Sequence, residues 1–234
     1  MIAARRMRCG LILITGVMCS VIVMSILVRN CAASWNWETD SVAQIHCFPI
    51  SVPGTALVIR NLISYEGEFI EDVNGTFETN MVAACLENVG TKGIECARVV
   101  LSWPDGAYVF DVEMLPAGMT AVVLEKYKQP YSLHPWSQCG GVQKTAIDNW
   151  LDTEIKVIPI TQTKIKIQNE TDHVLSDTTI YFKNYMQDED LLLGGVVYSY
   201  HAGSLAPGDT IIVEPYYYVQ DYSMIVRIDY RKEY

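Results

Sequence analysis

From Ala56 to Tyr230 the chain alternates apolar and polar residues in short runs separated by turn residues. Thr163-Lys164-Ile165-Lys166-Ile167-Gln168 is the clearest run, with its isoleucines on one face. Successive side chains of a strand point to opposite faces, so a period of two reads as a half-buried strand. The stretch 56–126 contains no window with the period of a long amphipathic helix. The chain is therefore constrained to a mainly β fold.

Two series of strands are expected. The first covers 56–60, 77–86, 94–103, 108–114 and 119–126. Pro104-Asp105-Gly106 and Leu115-Pro116-Ala117-Gly118 supply turns within it, because Pro fixes φ and Gly accepts a positive φ. Residues 128–141, with two prolines and two glycines, read as a long loop, and 142–150 as a closing strand or a short helical turn. The second series covers 155–158, 163–168, 178–185, 191–200, 210–214 and 224–230, with the acidic break Asp188-Glu189-Asp190 inside it. The series repeat one another. A strand ends on Asn88 in the first and on Asn169 in the second. Leu115-Pro116-Ala117-Gly118-Met119-Thr120 matches Leu205-Ala206-Pro207-Gly208-Asp209-Thr210. Internal duplication explains the match economically. It predicts two units, 56–150 and 151–234, joined near Trp150.

Leu86-Glu87-Asn88-Val89-Gly90, Leu101-Ser102-Trp103-Pro104-Asp105-Gly106 and Leu115-Pro116-Ala117-Gly118 together resemble the CARDB-like and related immunoglobulin-like modules of bacterial surface proteins. The second series keeps Asn169 and Leu205-Ala206-Pro207-Gly208 but has no Pro-Asp-Gly. The resemblance implies tandem immunoglobulin-like β-sandwiches used for adhesion, spacing or assembly, with no shared catalytic residues.

The N-terminus carries a different signal. Arg5, Arg6 and Arg8 precede an uncharged apolar run at 10–28, which Arg29 ends. Such a run nearly matches a hydrocarbon core of roughly 30 Å as a helix. The basic cluster predicts a cytoplasmic segment 1–9, a single transmembrane helix (signal anchor) at 10–28, a membrane-proximal linker at 29–55 and an extracytoplasmic remainder. The alternative is a cleaved signal peptide and a secreted chain. Either reading exports a domain more acidic than the chain's net charge of -10, since all 27 Asp and Glu residues follow Arg29. That balance argues against nucleic-acid binding, which needs a basic footprint.

An oxidising compartment permits disulfides. Cys85 and Cys96 flank a turn and are expected to face each other across a hairpin; Cys47 and Cys139 are the second candidate pair. Buried thiols are the alternative. Catalytic and metal-binding constellations are not found. His46, His134, His173 and His201 are scattered without ligand spacing, and His201 beside Ser204 lacks an orienting group. No P-loop, dinucleotide fingerprint or nucleophile elbow is present, so no cofactor is expected. Asp188-Glu189-Asp190 reads as a solvated loop, and Asn74 and Asn169 open formal glycosylation sequons. Tyr216, Tyr217, Tyr218 and Tyr222 form the one conspicuous interaction feature. Alternation would put Tyr217 opposite Tyr216 and Tyr218. The expected function is that of a non-enzymatic, membrane-anchored envelope protein that contacts another surface protein or acts as a spacer. The alternatives are a carbohydrate- or ligand-binding module working through those tyrosines, and an exported enzyme without a recognisable motif.

Overall fold

A computed structural model describes residues 48–68, 70–71, 76–132, 136–146 and 154–233. Thirteen strands follow in chain order: β1 (Ile50–Ser51), β2 (Leu57–Glu68), β3 (Phe77–Asn88), β4 (Ile94–Trp103), β5 (Gly106–Leu115), β6 (Thr120–Leu124), β7 (Gln138–Thr145), β8 (Ile155–Pro159), β9 (Ile165–Asn169), β10 (Val174–Met186), β11 (Leu191–Leu205), β12 (Thr210–Val213) and β13 (Ser223–Glu233). Among the described residues there is no α-helix; Gln187–Glu189 and Gln220–Tyr222 are short 3-10 turns.

The duplication is visible in the strand pairing. β2 pairs with β3, β3 with β6, β4 with β5 and β4 with β7, all antiparallel. The second series repeats this as β8 with β9, β9 with β12, β10 with β11 and β10 with β13. The two asparagines sit at equivalent points. Asn88 Nδ2 donates to Lys92 O at 2.9 Å and Leu115 O at 3.1 Å, and its Oδ1 accepts from Gly90 N at 3.0 Å. Asn169 Nδ2 donates to His173 O at 2.8 Å and Leu205 O at 3.0 Å, and its Oδ1 accepts from Thr171 N at 2.9 Å. Each side chain is fully buried, and each ties the end of its strand to a turn carbonyl and to the last residue of a later strand.

The series do not form separate units. β11 runs parallel to β6, with Leu191, Leu192 and Leu193 beside Thr120, Ala121 and Val122. One seven-stranded sheet results, in the order β1-β2-β3-β6-β11-β10-β13, spliced from part of each repeat. The remaining strands make two three-stranded sheets, β5-β4-β7 and β12-β9-β8. Residues Gln44–Tyr234 form one compact unit.

The first small sheet packs Val99, Leu101, Phe110 and Val112 against Leu57, Ile59, Val82, Ala84, Leu86 and Val123 of the long sheet. The second packs Ile165 and Ile167 against Leu175, Ile180 and Phe182. Phe182 and Lys183 are neighbours on β10 and so point to opposite faces. Phe182 belongs to the second core, whereas Lys183 reaches Glu113 on β5 of the first small sheet. The small sheets therefore cover opposite faces of the long one.

Several expectations are corrected here. None of the three sheets closes or curls, and the parallel seam between β6 and β11 runs one sheet through both repeats. Tandem immunoglobulin-like β-sandwiches, and with them the CARDB-like resemblance, are not what the chain folds into. The expected membrane helix at 10–28 lies outside the described residues, as do 1–9, 29–47 and the boundary at 147–153. Among the described residues no helix is long and apolar enough to cross a membrane. No described helix supports the single-pass topology, the membrane as partner or the envelope role built on them, and none of the three is carried further. Part of the expected loop at 128–141 is strand β7, glycines included. A Cβ at Gly141 would meet Val52 Cγ1 at 2.7 Å, and its N–H donates to Pro53 O at 3.2 Å, so close passage of the 52–55 turn requires glycine in that strand.

Candidate functional site

Pro215 opens the segment between β12 and β13, and Tyr218 N donates back to Pro215 O at 3.1 Å. This turn replaces the expected alternation. Tyr216 and Tyr217 both face outward, 89% and 37% exposed, while Tyr218 is 4% exposed in the second core. Tyr222, on the following 3-10 turn, is 66% exposed.

The exposed rings stand on buried ones. Tyr218 packs edge-on against Phe182 at 5.7 Å between centroids, and Tyr198 stacks on Phe182 at 5.8 Å. Tyr217 lies over Tyr198 at 4.7 Å, and Tyr216 meets Tyr217 at 4.6 Å with 84° between the ring planes. An aromatic column thus rises from a fully buried Phe182 on β10, through Tyr198 on β11, to Tyr217 and Tyr216 at the surface. Offset and edge-to-face contacts at these distances are each worth about 1 kcal/mol beyond area burial.

Hydrogen bonds fix the segment from its other side. Gln220 N donates to Gln162 O at 2.8 Å, and Gln162 Nε2 donates to Asp221 Oδ2 at 2.8 Å, tying it to the turn between β8 and β9. Val219 N donates to Ser223 Oγ at 3.0 Å. Burial raises the Tyr198 and Tyr218 phenols above their ordinary range, so both stay protonated at neutral pH. The surface offers two aromatic rings at a right angle, and the Gln162–Asp221 bond lies on the turns that hold the segment.

A second group of functional side chains sits at the seam. Lys183 is fully buried and donates to Glu113 O, Gly195 O and Val196 O at 2.9, 3.0 and 2.7 Å. Burial lowers its pKa to about 8 against the opposing pull of Glu71 and Glu113. Glu71 accepts from Leu124 N at 2.8 Å and Gly195 N at 2.9 Å; burial raises its pKa, and those amides and Lys183 oppose the rise. A depressed lysine pKa can mark a nucleophile. Here three backbone carbonyls use the ammonium as a structural cross-tie. Sequence reasoning did not single out Lys183; the one signal at the seam was the Gly194-Gly195 pair inside the next apolar strand.

The other expected residues disperse. Cys85 lies on β3 of the long sheet and Cys96 on β4 of a small one; β3 and β4 do not pair, and Cys96 is an exposed free thiol. Cys139 is half-buried with its thiol pKa raised by desolvation, and Cys47 lies outside the described residues. His201 Nδ1 shares a hydrogen bond with Thr179 Oγ1 at 3.1 Å. Asn74, His46 and His134 lie outside the described residues. Asn169 Nδ2, the atom a glycan would occupy, is committed to buried carbonyls. Among the described residues no group of His, Cys, Asp and Glu is arranged to hold a metal. A groove of about 460 Å³ over β4, β5 and β7 is lined by Cys96, Arg98, Asp111 and Lys144. Three of its charged residues are paired: Asp111 receives Arg98 at 2.6 Å and Lys126 at 2.7 Å, and Lys144 meets Glu95.

Compared with known proteins, the chain matches no family model, no curated protein and no solved structure.

Proposed function

We propose that this chain is a carbohydrate-binding module whose platform is Tyr216 and Tyr217, with Tyr222 beside it. The column Phe182–Tyr198–Tyr217–Tyr216 carries the reading. Rings that stack on sugars must be exposed yet fixed, because ordering a mobile ring on binding costs affinity. Tyr216 is almost fully exposed and Tyr217 is held by a ring rooted in the core. The right angle between them gives a pyranose ring a floor for its C–H face and a wall for its edge. Asp221 and Gln162 are the hydroxyl partners.

The test is a glycan array with the full chain, followed by calorimetry on each hit. Saturable binding that falls at least tenfold in Tyr216→Ala and Tyr217→Ala is the expected result. Absence of any saturable glycan, or hits unchanged in both variants, would sink the reading.

A further inference from the structure

The repeat places β12 where β6 stands in the first series. Met119 O accepts from Asn88 N at 3.0 Å, and Asp209 O accepts from Asn169 N at 3.0 Å, so the two strands enter their sheets in the same register. Hydrogen-bonded pairs alternate along an antiparallel ladder. Counting from those bonds, Thr120 and Val122 turn their backbone groups away from β3, and Thr210 and Ile212 turn theirs away from β9. In the first repeat β11 takes that edge in parallel. In the second, β12 is the outer strand of its sheet and no described strand pairs with its far side.

The side chains record the same difference. Val122 is 6% exposed, packed with Leu191 and Leu193, whereas its counterpart Ile212 is 62% exposed. Lys166 lies directly across from Ile212. Lys156 and Lys164 on the same small sheet and its turn have Glu170 and Glu214 within 3.7 and 3.8 Å; no ion pair engages Lys166 among the described residues. The strand that fills the equivalent edge in the first repeat is apolar, Leu191-Leu192-Leu193, and the chain enters it from the acidic 3-10 turn Gln187–Glu189 and Asp190.

A second copy cannot give β5, the strand of its first repeat that matches β11. The counterpart of β11 in the first repeat is β5, and its outer edge is plugged. Glu125, fully buried, accepts from Val109 N at 3.0 Å, Lys126 N donates to Val109 O at 2.9 Å, and Lys183 takes Glu113 O. Blocking one edge prevents the head-to-tail pairing that would otherwise build open filaments.

We propose that the far edge of β12 docks an extended acidic-apolar strand from a partner protein, running parallel to β12, with an apolar residue beside Ile212 and a carboxylate toward Lys166. Strand addition of this kind draws affinity from main-chain hydrogen bonds and specificity from alternate side chains.

The probe is a fluorescein-labelled peptide carrying residues 188–197 of this chain, titrated against the full-length protein by fluorescence anisotropy. Saturable binding is expected, at least tenfold weaker in Ile212→Pro and at least threefold weaker in Lys166→Glu. Pro at 212 removes an N–H that faces away from β9, so the existing ladder is kept. Ile212→Lys decides the matter should the proline variant lose its β-type circular dichroism. Tyr216→Ala should leave peptide binding unchanged, which separates this edge from the glycan platform. No saturable binding, or binding equal in the folded variants, overturns the proposal. Sedimentation showing self-association of the unmodified chain that Ile212→Lys abolishes also overturns it, by making a second copy the occupant.

Discussion

Glu71 and Lys183 hold one residue from its two ends: Gly195 N donates to Glu71 Oε1 at 2.9 Å, and Gly195 O accepts from Lys183 Nζ at 3.0 Å. Gly195 lies where β11 leaves β6 and turns toward its own repeat, after Gly194 at φ 83°. A Cβ on Gly195 would stand 1.9 Å from Asp111 O on β5. The splice between the repeats thus depends on a bare backbone with a carboxylate on one side and an ammonium on the other. Unpaired, those buried backbone groups would each cost about 1–3 kcal/mol.

Gly195→Ala should therefore destabilise the chain by at least about 3 kcal/mol, because the obstructing atom belongs to a strand backbone that cannot rotate away. Gly203→Ala is the control. Unlike Gly195 it has a positive φ, 78°, but nothing lies within 4 Å of its added Cβ. Its cost should stay near 1 kcal/mol. Urea denaturation of both variants checks the contrast, and equal midpoints would refute it.

Lys183 makes stability depend on pH with a definite sign. Its folded pKa, about 8, lies below the ordinary 10.5, so the unfolded chain binds more protons between those values. Stability from this group should rise as pH goes from about 8 to 10.5 and be lost again as pH falls through 8. The full swing is about 3 kcal/mol. Cys139 and the raised tyrosines Tyr65, Tyr198 and Tyr218 act in the opposite sense at alkaline pH. The difference between the unmodified chain and Lys183→Met cancels them and keeps the lysine's contribution. Denaturation at pH 7.5 and 9.5 measures it; a difference independent of pH would show the ammonium to be buried without penalty.

Asn88→Ala and Asn169→Ala should cost similar amounts, about 2 kcal/mol each, because each strips one buried and at least one part-buried carbonyl of its donor. Thermal melts of the single variants test the equivalence. A loss at one site alone would mean that the repeats have diverged in how they hold their turns.

The duplication was legible because its determinants are local. An Asn that ends a strand and a Leu-Pro-Gly type turn are dictated by hydrogen bonds within a few residues and by φ. Most strands were legible for the same reason. The splice was not. Whether β6, already paired with β3, takes β11 on its other edge is settled by groups distant in sequence: Glu71, Lys183 and the back of Asp111. Leu191-Leu192-Leu193 reads as a strand in either case. The tyrosine cluster was legible as a feature but not in its geometry, since Pro215 imposes a turn where alternation was expected. The Cys85–Cys96 expectation fails to find a hairpin because β3 and β4 part into different sheets across the Asn88 turn.

The splice also predicts how the halves behave when cut apart. A chain spanning 151–234 keeps β8 to β13 and its own core of Ile165, Ile167, Ile180, Phe182 and Ile228. It loses β6, and with it the strand that covers Leu191 and Leu193. It also loses Glu71 from Gly195 N and Glu113 from Lys183, leaving a buried ammonium with two acceptors and no nearby carboxylate from the first repeat. An apolar edge uncovered in this way invites association. The fragment should show β-type circular dichroism but unfold at least about 10 °C below the full chain, since a loss of about 2–3 kcal/mol moves the midpoint of a domain this small by that much. It should also self-associate with rising concentration. Adding the peptide 117–126, which carries β6, should raise its midpoint and suppress the association. A fragment that melts cooperatively, stays monomeric and matches the full chain's midpoint would show that the parallel seam joins two repeats without stabilising either.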